Sequence, residues 1–537
     1  MTAVMLTPDA PPPLDYYQNN CITLINFVLD RYTAVLAPEV TRQLRDYLAL
    51  TIDSQRLFAR LLTRKGPLVR VDSLNYREVS DLSAALLELE QAQFVIRQPR
   101  GPGDRLLALL RKAEISEVFS RVQTGKRKKL EQVEWLCGAY SDLQIYDRVK
   151  ADVDWLQVND HYSWWLVRLV YFGDRVQDWS AFVIRDLGLM RFESIPMQRQ
   201  RFASALDLDI DLAYRRWSYL SRRLDEHPGL AGELVGFLLP SVDDRFAKAR
   251  RDRALLRIGQ WCERQLLTHT AIAAYGAVAR HPARERIVRL FHKQGDSANA
   301  NRWLEEIRRQ PMCEQEQQFA ERFGKRKAGF QPKTTIIDIP LAEKNVEQQA
   351  LSLILQPMQW GLHSENSLIR TLTGLLYWSV IYADIAGAFT NPFQSAPNDL
   401  YADDFFEARQ EQIVDLERRV KNDETLRRHL QDTLSQKRGI SSSLVNWNLF
   451  TEHSLDDFLN ALPFDDIRAL CGFLIRHLST RSTGFPDLFV VRGYKKYEFV
   501  EVKGPNDQLQ PGQRIWFKHL SRLGIPARVV KLKLKGS

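Results

Sequence analysis

The sequence predicts a mostly α, multidomain protein that ends in an α/β domain, and three observations predict it. The chain has 537 residues; single hydrophobic cores stop growing beyond roughly 250–300 residues, so several domains must share it. From about 150 to 330, apolar residues recur at three- and four-residue spacing, the period of helices with one buried face. Between Gly484 and Leu534 the pattern changes to strand, turn, strand, helix, strand.

Composition narrows the class. Hydrophobic residues make up 45% of the chain and aromatic residues 10%, enough for sizeable cores. No stretch of about 18 uncharged apolar residues occurs, so no membrane span is expected. MTAVMLTPDAPPPLDYY at the start lacks the basic and apolar regions of a secretory signal. Five scattered cysteines (Cys21, Cys137, Cys262, Cys313, Cys471) form no CxxC pair, the pattern of buried free thiols in a reducing compartment. The net charge of +9, from 75 basic and 66 acidic residues, favours a polyanionic partner without establishing one.

The N-terminal section reads as helices to about residue 64. In DSQRLFARLLTRK, Asp53 is the expected N-cap, and Leu57, Phe58, Leu61 and Leu62 share one face. PLVRV (67–71) reads as a strand, VSDLSAALLELEQA (79–92) as a helix and FVIRQ (94–98) as another strand. This is the outline of a winged-helix unit, or of a small α+β unit that only packs against its neighbours. PRGPG (99–103) is a linker by its turn chemistry. DRLLALLRKAEISEVFSR (104–121) then gives two short kinked helices, followed by the basic run at Lys126–Lys129, the outline of a SAP-type DNA-binding module. Lys126 and Lys128 are phosphate-contact candidates or solvated surface charges.

The helical stretch is broken at Pro228, Pro240, Pro282 and Pro311. Its helix pairs have the length of a tetratricopeptide-like (TPR-like) repeat, with about two units legible. Arg284, Arg286 and Arg289 fall close together there, as ordinary helix arginines or as contacts to DNA phosphates. The polar, basic RFGKRKAGFQPKTT (322–335) marks a boundary before the last domain.

The chemistry concentrates after Gly484. LFVVR (488–492) and YEFVEVK (497–503) flank the turn GYKK. A hairpin centred between Tyr494 and Lys495 sets Asp487 opposite Glu501 and Lys503, which leave one strand on the same face. Two carboxylates side by side repel, and a divalent cation is the simplest remedy. Mg²⁺ takes oxygen ligands and uses one or two carboxylates together with substrate phosphates. Asp487 and Glu501 suit that role, the Val502 carbonyl lies where it adds a third oxygen, and Lys503 can orient or deprotonate an attacking water. GPNDQLQPGQRIWFKHLSRLG follows as a helix, with Pro511 in its first turn, Ile515, Trp516, Leu520 and Leu523 at helical spacing, and Gly524 as its stop. ARVVKLKL (527–534) reads as a closing strand.

The order β-β-α-β with PD and ExK resembles the restriction-endonuclease-like, PD-(D/E)xK nuclease fold. EVKGPNDQL followed by Gln513 and Trp516 resembles more specifically the virus-type replication–repair nuclease (VRR-NUC) domain. That family implies a supporting glutamine at Gln513. It also implies an acidic metal ligand ahead of the hairpin, which maps onto Glu365 at the start of HSENSLIRTLTGLLYWSVIYADI, a helix with Leu368, Leu372, Leu375 and Leu376 on its apolar face. Asp384, Asp403 and Asp404 read as surface residues. A C-terminal VRR-NUC domain behind helical repeats and a winged-helix/SAP-like region is similar to the order in Fanconi-associated nucleases. ExSx6GLLYWx3Y (365–382), NPFQSAPNDL (391–400) and SLVNW (443–447) look like segments of that family.

The resemblance implies four regions: 1–100 N-terminal helical or winged-helix, 101–180 SAP-like, 181–335 TPR-like and 345–537 nuclease. It implies a structure-specific, Mg²⁺- or Mn²⁺-dependent nuclease of phosphodiesterase I type. The expected substrate is branched or 5′-flap DNA, with 5′-to-3′ exonuclease activity and a part in interstrand crosslink repair. A basic pocket for the DNA 5′ end is implied too, with Arg481 its candidate or else a plain loop arginine. No Cys/His cluster corresponds to the ubiquitin-binding zinc finger of animal members, so ubiquitin recruitment is not carried over. The expected setting is a bacterial cytoplasm beside the nucleoid, or a nucleus in a eukaryote, and the expected state is a monomer able to pair on DNA. Two alternatives remain: a Holliday-junction resolvase, and a DNA-binding scaffold with a vestigial site.

Overall fold

The computed structural model describes residues 14–64, 66, 68–119, 128–159, 162–173, 190–236, 244–324, 330–339, 346–450, 452–504 and 507–534. They fall into two compact units divided between Met190 and Arg191.

The first unit opens with three helices, Tyr16–Tyr32, Pro38–Ala49 and Ile52–Leu62. Leu57, Phe58 and Leu61 are buried as their spacing requires. Asp53 is not the N-cap: the helix starts at Ile52 behind Thr51, and the Asp53 carboxylate instead accepts from the backbone amides of Ser80 and Asp81. That fastens it to the helix Leu82–Gln91, capped by Asp81 through the Ala84 amide. Strands β1 (Leu68–Arg70) and β2 (Val95–Arg97) stand where the sequence puts them, but both pair antiparallel with a third strand, β3 (Trp155–Val158). The helices Gly103–Leu109, Lys112–Val118, Lys129–Ala139 and Asp142–Asp152 intervene before β3. The wing is therefore completed from the SAP-like segment, in a stretch that helical periodicity alone had absorbed.

The second unit contains the repeat helices, which pack in chain order from Arg245–Arg264 through Thr268–Gly276, Ala283–Lys293 and Ser297–Arg309 to Glu314–Arg322. It also contains a five-stranded mixed sheet. Strands β4 (Thr334–Ile339), β5 (Trp360–His363), β6 (Leu488–Gly493), β7 (Lys496–Lys503) and β8 (Ala527–Leu534) lie in the order β4-β8-β7-β6-β5. β6 runs antiparallel to β5 and β7, and β8 runs parallel to β7 and β4. The sheet thus begins at β4, ahead of the expected boundary at 345.

Alternation sorts the two faces. Leu488, Val490, Val500 and Val502 pack with Ala350 and Ile354 of the helix Val346–Ile354. Phe489, Val491, Tyr497 and Phe499 face the larger core, built with the helices Asn366–Leu376, Phe464–Arg476 and Pro511–Leu523. Glu501 and Lys503 continue the second set along β7, so they emerge at the rim of the larger core. Asp403 and Asp404 are half-exposed but not idle: they pair with Arg280 and Arg245, at 3.0 and 2.9 Å, and so tie the repeats to the nuclease end of the same unit. Asp384 accepts from the Gln198 amide. Of the cysteines, Cys21, Cys262 and Cys471 are buried, but Cys137 is exposed.

Candidate active site

The β6–β7 hairpin turns at Tyr494 and Lys495 as expected, but a bulge between Val491 and Gly493 shifts its register by one residue: Leu488 pairs with Val500, so the residue before β6 meets Glu501 directly. Asp487 Oδ2 accepts from the Val502 amide at 2.8 Å, which pins the first carboxylate to the edge of β7. Glu501 is 1% exposed. Its Oε1 accepts from Gln513 Nε2 at 2.5 Å and lies 2.9 Å from Lys503 Nζ. Gln513 has two tasks, because its own carbonyl oxygen caps the helix Pro511–Leu523 by accepting from the Gln510 amide. One side chain therefore ties a helix start to a buried acid.

This corner closes only because Gly484 has no side chain. Its φ is +89°, and a Cβ there would meet the backbone of Gly512 and Gln513 at 2.6 and 2.7 Å. The loop carrying Asp487 and the helix carrying Gln513 touch at that point. Trp516, fully buried, adds a second tie through its indole N–H to the Arg481 carbonyl.

The electrostatics are those of a cation site. Burial pushes the Glu501 carboxyl up to about 8, with the Asp487 charge adding to the rise and the Lys503 ammonium opposing it. Asp487 is also raised, chiefly by burial; the Val502 amide and Lys503 oppose, while the charges of Glu347 and Glu365 add. Glu501 Oε2 is buried with no hydrogen-bond partner among the described residues, an orphaned acceptor beside a second carboxylate. Such a pair is costly to ionise alone and fits a divalent ion.

Glu365 is placed differently. Its amide and that of Ser364 both donate to the Asp487 carbonyl at 3.0 Å, so its backbone is clasped to the site. It occupies the N-cap position of the helix Asn366–Leu376 without a side-chain capping bond, at φ +44° and ψ −135°, a strained conformation for a side-chain-bearing residue. Its side chain, however, is 64% exposed and stands off. Accordingly, no three His, Cys, Asp or Glu side chains among the described residues already converge at ligand distance. Two groups at this corner escaped the sequence reading. Glu347, in the first turn of Val346–Ile354, reads as an ordinary dipole-favoured surface acid. His363 lies two residues before Glu365, but β5 ends at His363 and Glu365 begins a helix, so no strand period links the two.

Of the basic residues expected on DNA, Arg481 and Arg284 are buried in ion pairs. Arg481 is 4% exposed, paired with Glu314, donating to the Phe473 carbonyl and stacked on the Phe473 ring; it clamps the repeats to the nuclease core and offers no free guanidinium. Arg284 is likewise buried, in a two-pronged pair with Glu316 at 2.5 and 2.9 Å. Arg286 and Arg289 are part-exposed, and each faces a carboxylate, Glu263 at 3.4 Å and Glu285 at 2.8 Å. Lys128 is exposed at the start of Lys129–Ala139, whereas Lys126 lies outside the described residues.

A mixed sheet carrying PD on one strand's entry and ExK on its neighbour defines a nuclease of the VRR-NUC type, and residues 421–533 match the VRR-NUC domain. Residues 15–96 match the FAN1, HTH domain. The Fanconi-associated nuclease 1 homolog of Pseudomonas aeruginosa is 29% identical over 546 residues, covering 97% of this chain and 96% of that protein. Fanconi-associated nuclease 1 of Homo sapiens is 34% identical over 182 residues, covering 33% of this chain and 18% of that one. The crystal structure of paFAN1 bound to 2nt 5′flap DNA with gap superposes with a TM-score of 0.87 at 28% identity, covering 98% of this chain and 100% of that one. This chain therefore carries a VRR-NUC domain and a FAN1, HTH domain, and it is similar over nearly its whole length to a Fanconi-associated nuclease 1 homolog.

Proposed function

We propose that this protein is a structure-specific DNA nuclease that cuts 5′-flap and related branched DNA, with a part in DNA repair that includes crosslink repair. The observation that carries it is the buried pair Asp487 and Glu501, with an unpartnered Glu501 oxygen and Lys503 Nζ 2.9 Å from Glu501. The finer reading is phosphodiester hydrolysis of the phosphodiesterase I type, using Mg²⁺ or Mn²⁺.

Asp487, Glu501 and the Val502 carbonyl would hold the ion. The Val502 N–H already points at Asp487, and the N–H and carbonyl of one strand residue leave by the same edge. Glu365 would complete the set from its clasped backbone, with Glu347 adding negative potential. A bound ion supplies Lewis-acid stabilisation of charge developing on the phosphate oxygens. Lys503 orients the attacking water and offsets phosphate charge, Gln513 fixes the Glu501 rotamer, and Asp487 is fixed by Val502. Phosphate contacts carry no sequence information, so the enzyme reads DNA shape.

A resolvase would require symmetric cuts across a four-way junction. The test is a panel of labelled 5′-flap, splayed-arm and four-way substrates with Mg²⁺ or Mn²⁺. Preference for the flap, cut near the junction, is expected; symmetric cleavage of four-way DNA alone would give the site to a resolvase.

A further inference from the structure

Within that metal-site reading, on which this inference rests, Glu365 is the least constrained acid. Its backbone is tethered to Asp487 and strained, yet its carboxylate is largely in water. A flexible carboxylate gives a poorly preorganised ligand unless a neighbour holds it. The neighbour is His363, the last residue of β5. It pairs in register with Leu488, one residue from Asp487. Its ring is 30% exposed, but Nε2 itself is buried and has no hydrogen-bond partner among the described residues. The facing charged atom is Glu365 Oε1, 3.8 Å away, beyond hydrogen-bond range.

Two incomplete groups thus face each other: a buried nitrogen without a partner and a carboxylate without a fixed position. We propose that His363 is a positioning residue, whose Nε2–H closes onto the Glu365 carboxylate and fixes the oxygen that Glu365 turns toward the ion. A small side-chain rotation of Glu365 suffices, because its Cα is already fixed by the two amides on the Asp487 carbonyl. β5 is the edge strand of the sheet, and its end serves this corner as the end of β7 does from the other side.

The test uses the full chain and three variants, His363→Leu, His363→Gln and Asp487→Asn. Mn²⁺ affinity is measured by titration calorimetry without DNA, and cleavage of a 5′ flap is measured at saturating Mn²⁺. Glutamine can place an amide donor near the Nε2 position, whereas leucine cannot. Outer partners of metal ligands usually matter about 10–100-fold. His363→Leu should therefore weaken Mn²⁺ binding about tenfold or more, with an unchanged melting temperature, and His363→Gln should recover most of it. If the leucine variant binds Mn²⁺ like wild type, or glutamine rescues nothing, the positioning role is wrong. The site itself is judged separately: Asp487→Asn must abolish cleavage, and if it does not, the metal-site reading fails whatever His363 does.

Discussion

Glu501→Gln should stabilise the metal-free nuclease end while destroying its activity. Glu501 is 1% exposed, and its folded carboxyl is raised from 4.5 to about 8. The sign follows from linkage. The folded state keeps the proton to higher pH than the unfolded state, so stability is fullest below 4.5 and falls as pH rises towards 8. At pH 7 the penalty corresponds to the distance from 4.5, on the order of 3 kcal/mol with the opposing Lys503 contact already included. The glutamine variant has no such term. Hydrogen exchange of the β6–β7 peptides in chelator, across pH 5 to 9, reads it locally and avoids treating a multidomain chain as two-state. Wild type should lose protection as pH rises and regain it with Mn²⁺; the variant should do neither. A variant less protected than wild type at pH 8 in chelator would refute the idea that these acids are held against their own repulsion.

Gly484→Ala should lower stability by about 2–4 kcal/mol, from a left-handed backbone and overpacking against Gly512 and Gln513, and should impair cleavage through Gln513; urea unfolding with flap cleavage checks both. His519 is lowered to about 4, first by burial and then by Arg481 and Arg522. Because the unfolded chain protonates it more readily, stability should drop on acidification from 6.5 to about 4, and His519→Gln should flatten that slope in pH-dependent unfolding. Burial alone would raise Asp211, but Arg201, Arg250 and Arg215 hold it down at about 2. Its contribution is present above 3.8 and lost as pH falls through about 2, and Asp211→Asn should cost about 3–5 kcal/mol by thermal or urea unfolding at pH 7.

The β6–β7–helix–β8 run was legible because every local signal agreed: alternation, a Gly-containing turn, Pro511 at the helix start and Gly524 in a left-handed cap at its end. From it the Asp487, Glu501 and Lys503 corner followed. Strands β3, β4 and β5 were not legible. β3 and β5 have four residues each, too few to show a period. β4 is a strand through its parallel pairing of Thr334 with Val529, a partner that no local window contains. Arg284 and Arg481 held a readable signal that their charge obscured. Arg284 lies on one stripe with Ile287 and Val288, and Arg481 stands one turn from Leu478 in the short helix Leu478–Arg481, so both sit on buried faces. What burial leaves them is an acid partner, Glu316 or Glu314. Glu347 and His363 depended on the fold, which alone brings them beside Asp487 and Glu365.

The central claim is that Asp487 and Glu501 hold a divalent ion against the scissile phosphate. A 5′ flap carrying a single phosphorothioate at the cleaved linkage tests it most directly, since sulfur binds Mg²⁺ poorly and accepts softer Mn²⁺. One stereoisomer should be cut far more slowly than the unmodified flap in Mg²⁺ and recover in Mn²⁺, with Asp487→Asn inactive in both. Equal cleavage of both isomers in both metals, or an active Asp487→Asn, would contradict the account.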